Sequence, residues 1–211
     1  MDTNLQFSHI ITSENELRDI IGRPGQLAAN KALDHLDEHS RAFIARSPFL
    51  LIASSDAQGR TDISPKGDPP GFVQVLDDHT FAIPERPGNR RADTFSNVLQ
   101  HPQVGILFLI PGRKETLRVN GTAQLVRDEW LRERMIVQGK LPILSLVVTV
   151  EEVFFHCTKC VVRSGLWDDT QWPDHDGLSS LAKVVVDQSK LDLDVEWLEA
   201  DLREDEKSGL Y

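Results

Sequence analysis

The sequence of 211 residues has little of what marks secreted or membrane-spanning proteins. Two cysteines are present, too few for the disulfide framework of a small secreted domain. The longest apolar run, residues 143–150, is far shorter than the roughly 18 to 20 residues of a membrane span. Residues 1–13 lack the basic head and apolar stretch of a secretory signal. We therefore expect a cytoplasmic protein with reduced cysteines and no membrane association.

Basic residues are also fewer than acidic ones. The chain has 33 Asp and Glu against 23 Lys and Arg, a formal net charge of −10 at pH 7. Residues 168–211 hold 13 of the acids and 4 of the bases, so the acidity lies mainly in the C-terminal part. Binding to a nucleic-acid duplex requires a basic surface that neutralises phosphates. The composition therefore predicts no nucleic-acid partner, but it leaves room for one phosphate in a local basic pocket.

The segments that are present predict a mainly β protein with peripheral α-helices. Helical spacing covers residues 15–46, where Gly22, Pro24 and Gly25 separate a short piece from a long one. Runs rich in Val, Ile, Leu, Phe and Thr predict strands at 49–53, 61–64, 71–76, 80–83, 103–110, 116–126 and 144–155. Further helices are predicted at 90–100, 129–138, 178–188 and 195–202. Alternating βαβ units are missing, which favours a small barrel over a Rossmann-type sheet.

Three segments carry residues suited to chemistry. The first follows a strand, where Pro87-Gly88 precedes Asn89, Arg90 and Arg91. With Asn89 as the N-cap, both arginines would open a helix, and helix N–H groups together with guanidinium groups suit a phosphate. A solvated helix face is the alternative interpretation.

The second segment, residues 62–72, leaves a strand and enters a connection rich in Pro and Gly. Such a stiff loop presents Ser64 and Lys66 with little entropy left to lose on binding. A rigid barrel corner without any ligand explains the same pattern.

The third segment places Cys157 and Cys160 in a C-x-x-C spacing beside His156. Zinc and redox chemistry are both alternatives, but two thiols and one imidazole leave a tetrahedral zinc site incomplete, and no second ligand pair is visible. The motif also lacks the helix and the βαβ context of a thioredoxin-like dithiol. We expect no metal site and packed, unreactive thiols here.

Four ordered motifs carry a resemblance to a known family. They are Asp-Ile-Ser-Pro-Lys-Gly-Asp at 62–68, Ile-Pro-Glu-Arg-Pro-Gly-Asn-Arg-Arg-Ala-Asp at 83–93, Leu-Arg-Val-Asn-Gly at 117–121 and a His-Cys segment ending in Leu-Trp at 156–167. Over residues 43–167 the chain resembles the pyridoxamine 5'-phosphate oxidase-like FMN-binding split-barrel proteins. The similarity is greatest to a bacterial subgroup distinct from the true pyridoxamine phosphate oxidases.

This resemblance implies a six-stranded split barrel that forms a homodimer, with one FMN in each of two clefts between the subunits. It divides the chain into an N-terminal helical segment at 1–47, the FMN-binding domain at 48–167 and an acidic helical extension at 168–211. Thr116 replaces a family glutamine that contacts the isoalloxazine ring, and Trp167 resembles a tryptophan that reaches the flavin from the partner subunit. The implied cofactor-binding residues are Ser64, Lys66, Asn89, Arg90, Arg91, Thr116, Lys159, Arg163 and Trp167.

The reaction is less defined than the cofactor. True pyridoxamine phosphate oxidases end in closely spaced arginines that hold the substrate phosphate, whereas residues 168–211 contain the single arginine Arg203. The resemblance therefore implies an FMN-dependent oxidoreductase acting on an unidentified small molecule. The alternative is a flavin-binding carrier or sensor without turnover, and related split barrels bind deazaflavin or haem. No catalytic residue is assigned, although His156 and Lys159 are titratable groups suited to proton delivery.

Overall fold

The computed structural model of the protein describes residues 5–211, which form two compact units at residues 5–32 and 33–211. Residues 1–4 of the predicted N-terminal segment lie outside this description. In the first unit, helix α1 spans Glu14–Ile21 and helix α2 spans Gln26–Ala29. The Ser13 side chain caps α1 by accepting a hydrogen bond from the Glu16 N–H, and Gly22, at a φ of 78°, ends it. The predicted break between two helical pieces is therefore confirmed.

The second unit begins with an extended stretch where the sequence predicts continuous helix. Leu33 and Val153 exchange backbone hydrogen bonds of 3.0 and 2.8 Å, which hold Leu33 in an isolated β-bridge. Helix α3 then spans Glu38–Ile44, and the Asp37 carboxylate caps it by accepting from the Ser40 N–H at 2.8 Å. The prediction of one long helix to residue 46 was wrong because pairing with a distant strand competes successfully with local helical preference.

Seven strands form one antiparallel sheet in the order β2-β1-β5-β6-β7-β4-β3. In chain order they are β1 (Phe49–Ser55), β2 (Thr61–Gly67), β3 (Gln74–Val75), β4 (Thr80–Pro84), β5 (Gln103–Leu109), β6 (Thr116–Val126) and β7 (Ser145–His156). The longest pairing, between β6 and β7, contains a register shift at Asn120/Gly121. The mainly β architecture predicted from the alternating pattern is confirmed.

The six-stranded barrel that the resemblance implies requires correction, whereas the seven strand segments predicted from the residue pattern are confirmed. The sheet has seven strands and is not closed, since β2 and the two-residue β3 are its edges. Pro65 lies within β2 and has no N–H to donate to a further strand, which suits this strand to a sheet edge.

The core lies on one face of the central strands. Alternate residues of β1, β5 and β6 are almost fully buried, and Phe81 of β4 packs edge-to-face on Phe108 of β5. The main cluster also takes in Leu36, Phe43 and Ile44 from the segment around α3. Burial of these side chains supplies the principal stabilising free energy of the unit.

The remaining helices surround this sheet. They are α4 (Asp93–Gln100), α5 (Glu129–Glu133), α6 (Lys159–Ser164), α7 (Leu181–Ser189) and α8 (Val195–Ser208), with a 3₁₀ turn at Asp169–Gln171. Helices α7 and α8 confirm the helical prediction for the acidic C-terminal part, whereas α6 was not predicted. Across residues 5–211, no helix combines the length and the apolar character needed to cross a membrane.

Candidate functional site

A cavity of about 440 Å³ lies between β2 and the segment that connects β4 to α4. Its lining comes from residues 62–67, 72 and 84–95, so two of the segments singled out in the sequence meet in space. Five of the nine predicted cofactor-binding residues line this cavity, namely Ser64, Lys66, Asn89, Arg90 and Arg91. The half-buried residues of β2 alternate with exposed ones, which places Ser64 and Lys66 on the same face of the strand.

The arginine pair lies in a loop and not in the first turn of a helix. Arg90 and Ala92 have φ values of 59° and 56°, in the left-handed region, so α4 can begin only at Asp93. The Asn89 side chain accepts a hydrogen bond from the Arg91 N–H at 3.0 Å and shapes the loop, while Ala92 occupies the N-cap position. The prediction of a helix starting at Arg90 with Asn89 as its N-cap was therefore wrong.

The two arginines differ in their partners. Arg91 Nε lies 2.7 Å from Asp93 Oδ2, and this hydrogen bond raises the pKa of the guanidinium. Lys66 and Arg86 of the cavity are also paired with carboxylates. Arg90 has no ion pair among residues 5–211, so its guanidinium is available to an anion, next to a helix start that no side chain caps.

Lys66 and Glu85 form a half-buried pair on the cavity wall. Their Nζ and Oε2 atoms are 3.8 Å apart, and 23% and 26% of their side chains remain exposed. Lys66 Nζ also lies 5.5 Å from the centre of the Phe95 ring, which is within range of a cation–π contact. Burial raises the pKa of Glu85, although the nearby Lys66 ammonium lowers it.

Asp68 holds Arg86 at the edge of this cavity. The Asp68 side chain is only 1% exposed, and it accepts hydrogen bonds from Arg86 Nε at 2.5 Å and from the Tyr211 hydroxyl at 2.6 Å. Arg86 also donates from Nη2 to the Met135 carbonyl at 2.9 Å. The bond to Asp68 raises the pKa of Tyr211. Arg86 is consequently a fixed wall element joining the end of β2 to the segment after β4.

The other four predicted residues lie outside this cavity. Thr116 is buried at the start of β6, opposite His156 of β7. Lys159 and Arg163 are exposed residues of α6, and Trp167 follows that helix and donates from Nε1 to the Arg113 carbonyl at 2.7 Å. Cys157 and Cys160 are free and exposed, so the expectation of packed thiols was wrong. Within one chain, then, the structure does not bring these residues to the arginine loop.

Sequence reasoning passed over Glu85, Arg86 and Phe95, which all line the cavity. Glu85 and Arg86 lie inside the motif at 83–93, but spacing alone reveals neither the pairing of Glu85 with Lys66 nor that of Arg86 with Asp68. The available signal was complementary charge in the two motifs, since the first contains Lys66 and Asp68 and the second contains Glu85 and Arg86.

Comparison with known proteins identifies the family to which the chain belongs. The family model for pyridoxamine 5'-phosphate oxidase matches residues 36–157, more than half of the chain. The chain belongs to the pyridoxamine 5'-phosphate oxidase family. The match covers both cavity-forming segments and all seven strands, and it ends one residue beyond β7. No curated protein matches the chain significantly.

Several solved structures are similar to this member of the pyridoxamine 5'-phosphate oxidase family. Tagged HupZ from Group A Streptococcus has 22% identity and a TM-score of 0.47, covering 57% of this chain and 93% of HupZ. A candidate pyridoxamine 5'-phosphate oxidase of Lactobacillus delbrueckii has 22% identity and a TM-score of 0.46, covering 59% and 98%. An FMN-binding protein of Syntrophomonas wolfei has 14% identity and a TM-score of 0.43, covering 56% and 88%.

Proposed function

We propose that this protein binds FMN in the 440 Å³ cavity and acts as an FMN-dependent oxidoreductase on a small molecule. The observation that carries the proposal is the convergence of Ser64, Lys66, Asn89, Arg90 and Arg91 around one cavity. Membership of the pyridoxamine 5'-phosphate oxidase family supports a flavin as the ligand.

The donor set of the cavity fits the phosphate of FMN. A phosphate is bound well by guanidinium groups, side-chain amides and free backbone N–H groups. Arg90 offers a guanidinium without an ion pair among residues 5–211, Arg91 a second one shared with Asp93, and Asn89 an amide in the same loop. In this proposal the arginine loop binds and orients the phosphate.

The remaining lining fits the rest of an FMN molecule. Phe72, Phe95 and Pro65 provide apolar surface, while Ser64 and Lys66 provide hydrogen-bond donors on one strand face. Bound FMN would supply the two-electron redox chemistry of the proposed reaction. The chain's own part is to hold Lys66 in place through Glu85, so that a positive charge stays inside the cavity.

Trp167 lies away from the cavity of its own chain, and the resemblance implies that this tryptophan reaches the flavin of a partner subunit, accompanied by Lys159 and Arg163. We therefore assign these three residues to the site of a partner in a homodimer. Thr116, buried at the start of β6, stays a predicted contact of the flavin ring. Pyridoxamine 5'-phosphate is not proposed as the substrate because the C-terminal part from residue 168 contains no cluster of arginines.

Spectroscopy of freshly purified protein tests both parts of the proposal. We expect a yellow protein whose released cofactor has the mass of FMN and whose absorption bleaches anaerobically with NADH, NADPH or dithionite and recovers with an added acceptor. Bleaching by dithionite alone, with no nicotinamide donor or organic acceptor active, would favour a flavin carrier. Release of a deazaflavin or a haem would contradict the choice of FMN.

A further inference from the structure

A second cavity, of about 510 Å³, lies between α3, the turn after β5 and the end of β7. Its inner surface is formed by Ala42, Phe43, Ile110 and Phe155, and it shares no residue with the arginine-loop cavity. The Phe43 and Phe155 rings pack edge-to-face, with centroids 5.4 Å apart and an interplanar angle of 78°. Such a surface favours an apolar or aromatic group, since its burial removes apolar area from water.

The rim of this second cavity is charged and carries an excess of basic groups. It consists of His39, Arg46, Arg113 and Glu115. Arg113 Nε lies 3.2 Å from Glu115 Oε2, so these two groups largely neutralise one another. Arg46 donates from Nη1 to the Ala42 carbonyl at 2.7 Å, but it has no carboxylate partner within residues 5–211. A guanidinium with unused donors is therefore held at the mouth of an apolar cavity.

Two contacts keep the Arg113 side of the rim in place. The Arg113 N–H donates to the Ile110 carbonyl at 3.0 Å, which closes the turn after β5. Trp167 Nε1 donates to the Arg113 carbonyl at 2.7 Å and ties the segment after α6 to the same turn. The rim is thus a preorganised part of the unit, which reduces the entropy lost when a ligand binds.

We propose that the second cavity binds a small apolar carboxylate, with its ring or alkyl part against Phe43 and Phe155 and its carboxylate at Arg46. Although the whole chain has a net charge of −10, the basic excess at this rim favours an anion locally. A guanidinium matches the planar geometry of a carboxylate. This inference does not require that FMN bind in the first cavity. Because Trp167, which the dimer proposal assigns to the partner's flavin site, donates to the Arg113 carbonyl on this rim, the same variants are also titrated with FMN, and parallel losses of naphthoate and FMN binding would overturn a separate site.

Calorimetric titration of the purified full chain with 2-naphthoate, and with the neutral 2-naphthylmethanol, tests the proposal. We expect one naphthoate per chain. Arg46→Gln should weaken naphthoate binding about two- to five-fold, the size of a solvent-accessible ion pair, and leave naphthylmethanol binding unchanged. Ala42→Trp, on the exposed side of α3, should fill the cavity and weaken both ligands more than about ten-fold. Arg134→Gln, an exposed arginine at the end of α5, is the matched control and should change neither.

The outcomes separate this proposal from the flavin proposal, because each variant is also titrated with FMN. Loss of naphthoate binding with unchanged FMN affinity supports a distinct second site. Absence of saturable naphthoate binding, or binding that survives Ala42→Trp, overturns it. Equal effects of Arg46→Gln on the charged and the neutral probe would overturn the role of the guanidinium. If Ala42→Trp does not fold, the Arg46→Gln contrast between the two probes decides alone.

Discussion

Arg90 and Arg91 are neighbours in sequence but have different electrostatic environments. Among residues 5–211 Arg90 has no ion pair, whereas Arg91 shares its charge with Asp93. If Arg90 contacts the FMN phosphate, Arg90→Ala removes a charge-assisted contact worth about 1.5 to 3 kcal/mol, and FMN affinity should fall about ten- to a hundred-fold. Riboflavin, which lacks the phosphate, should bind almost as before. Titration of the wild type and the variant with both flavins at fixed salt measures this contrast.

Arg91→Ala should also weaken FMN binding more than riboflavin binding, because it removes a guanidinium and leaves Asp93 without its partner near the phosphate. Arg134→Ala, at an exposed position just after α5 that does not line the cavity, is the control and should stay within about 0.5 kcal/mol, as is usual for surface substitutions. Equal losses for FMN and riboflavin in the Arg90 variant would show that the arginine supports the fold and not the phosphate.

The Glu85 carboxyl group makes the free energy of unfolding depend on pH. Burial raises the pKa of its carboxyl, against the opposing effect of Lys66. The folded protein therefore retains this proton to higher pH than the unfolded chain does, so the contribution of Glu85 to the free energy of unfolding is full at low pH and is lost as pH rises through the raised pKa. Glu85→Gln removes this titration. We expect the stability of the variant relative to wild type to increase as pH rises above the ordinary value of 4.5.

Urea denaturation at a series of pH values measures this difference, and Asp56→Asn provides a control of opposite sign. The backbone hydrogen bond from Arg60 is the main cause that lowers the pKa of Asp56. Its stabilising contribution is present above the ordinary value of 3.8 and is lost as pH falls through the lowered pKa. The stability of Asp56→Asn relative to wild type should therefore decrease as pH rises. A pH-independent difference for Glu85→Gln would contradict the assigned shift.

At the scale of the elements, the pairing of β6 with β7 depends on one glycine. A Cβ at Gly121 would lie 2.0 Å from the Thr149 carbonyl oxygen, at the register shift between these strands. Gly121→Ala should therefore force the strands apart and lower the free energy of unfolding by more than about 2 kcal/mol. Chemical denaturation of the purified variant measures the loss.

Gly105→Ala on the adjacent strand β5 is the matched control. Its Cβ would meet Asn120 Oδ1 at 3.5 Å, an ordinary van der Waals contact. This substitution should change the stability by less than about 1 kcal/mol. If the two variants lose the same stability, the close approach at Gly121 is not what limits substitution there.

The strands were predictable from the sequence because each one carries its own alternation. Burial along β1 and β5 alternates residue by residue, as the apolar pattern predicts. The loop before α4 was not predictable in the same way, because Arg90 and Ala92 are residues that seldom adopt the left-handed conformation. Helix α6 was missed because it is short and follows β7 after only two residues.

The cavity itself was predictable only in part. The arginine loop and the Ser64–Lys66 strand were recognised as separate motifs, and both line the cavity although β2 and β4 are not neighbours in the sheet. The pairs Lys66–Glu85 and Arg86–Asp68 join residues 18 or 19 positions apart in the sequence. Contacts of this kind depend on tertiary packing, and local sequence preference does not encode them.

At the scale of the whole molecule, the C-terminal part is linked to the cavity wall. The Tyr211 hydroxyl donates to Asp68, and the Arg86 guanidinium lies 5.6 Å from the centre of the Tyr211 ring. Tyr211, three residues after the end of α8, therefore lies beside Arg86, which lines the proposed flavin site.

The proposed dimer makes a prediction about the assembly. If Trp167, Lys159 and Arg163 complete the site of a second copy, FMN and dimerisation should be linked, since each chain would supply part of each site. Replacing Trp167 by Ala should then lower FMN affinity although Trp167 does not line the cavity of its own chain. A flavin titration of this variant, with the circular dichroism spectrum as a check on folding, tests the shared site.

Size-exclusion chromatography with light scattering and flavin absorbance on the same peak, followed by mass identification of the released cofactor, tests whether the arginine-loop cavity binds FMN in a dimer. We predict a species of about twice the chain mass of 23.8 kDa that carries one FMN per chain. A protein that elutes without flavin, and takes up no FMN when it is added at micromolar concentration, would contradict the claim that the arginine-loop cavity is an FMN site.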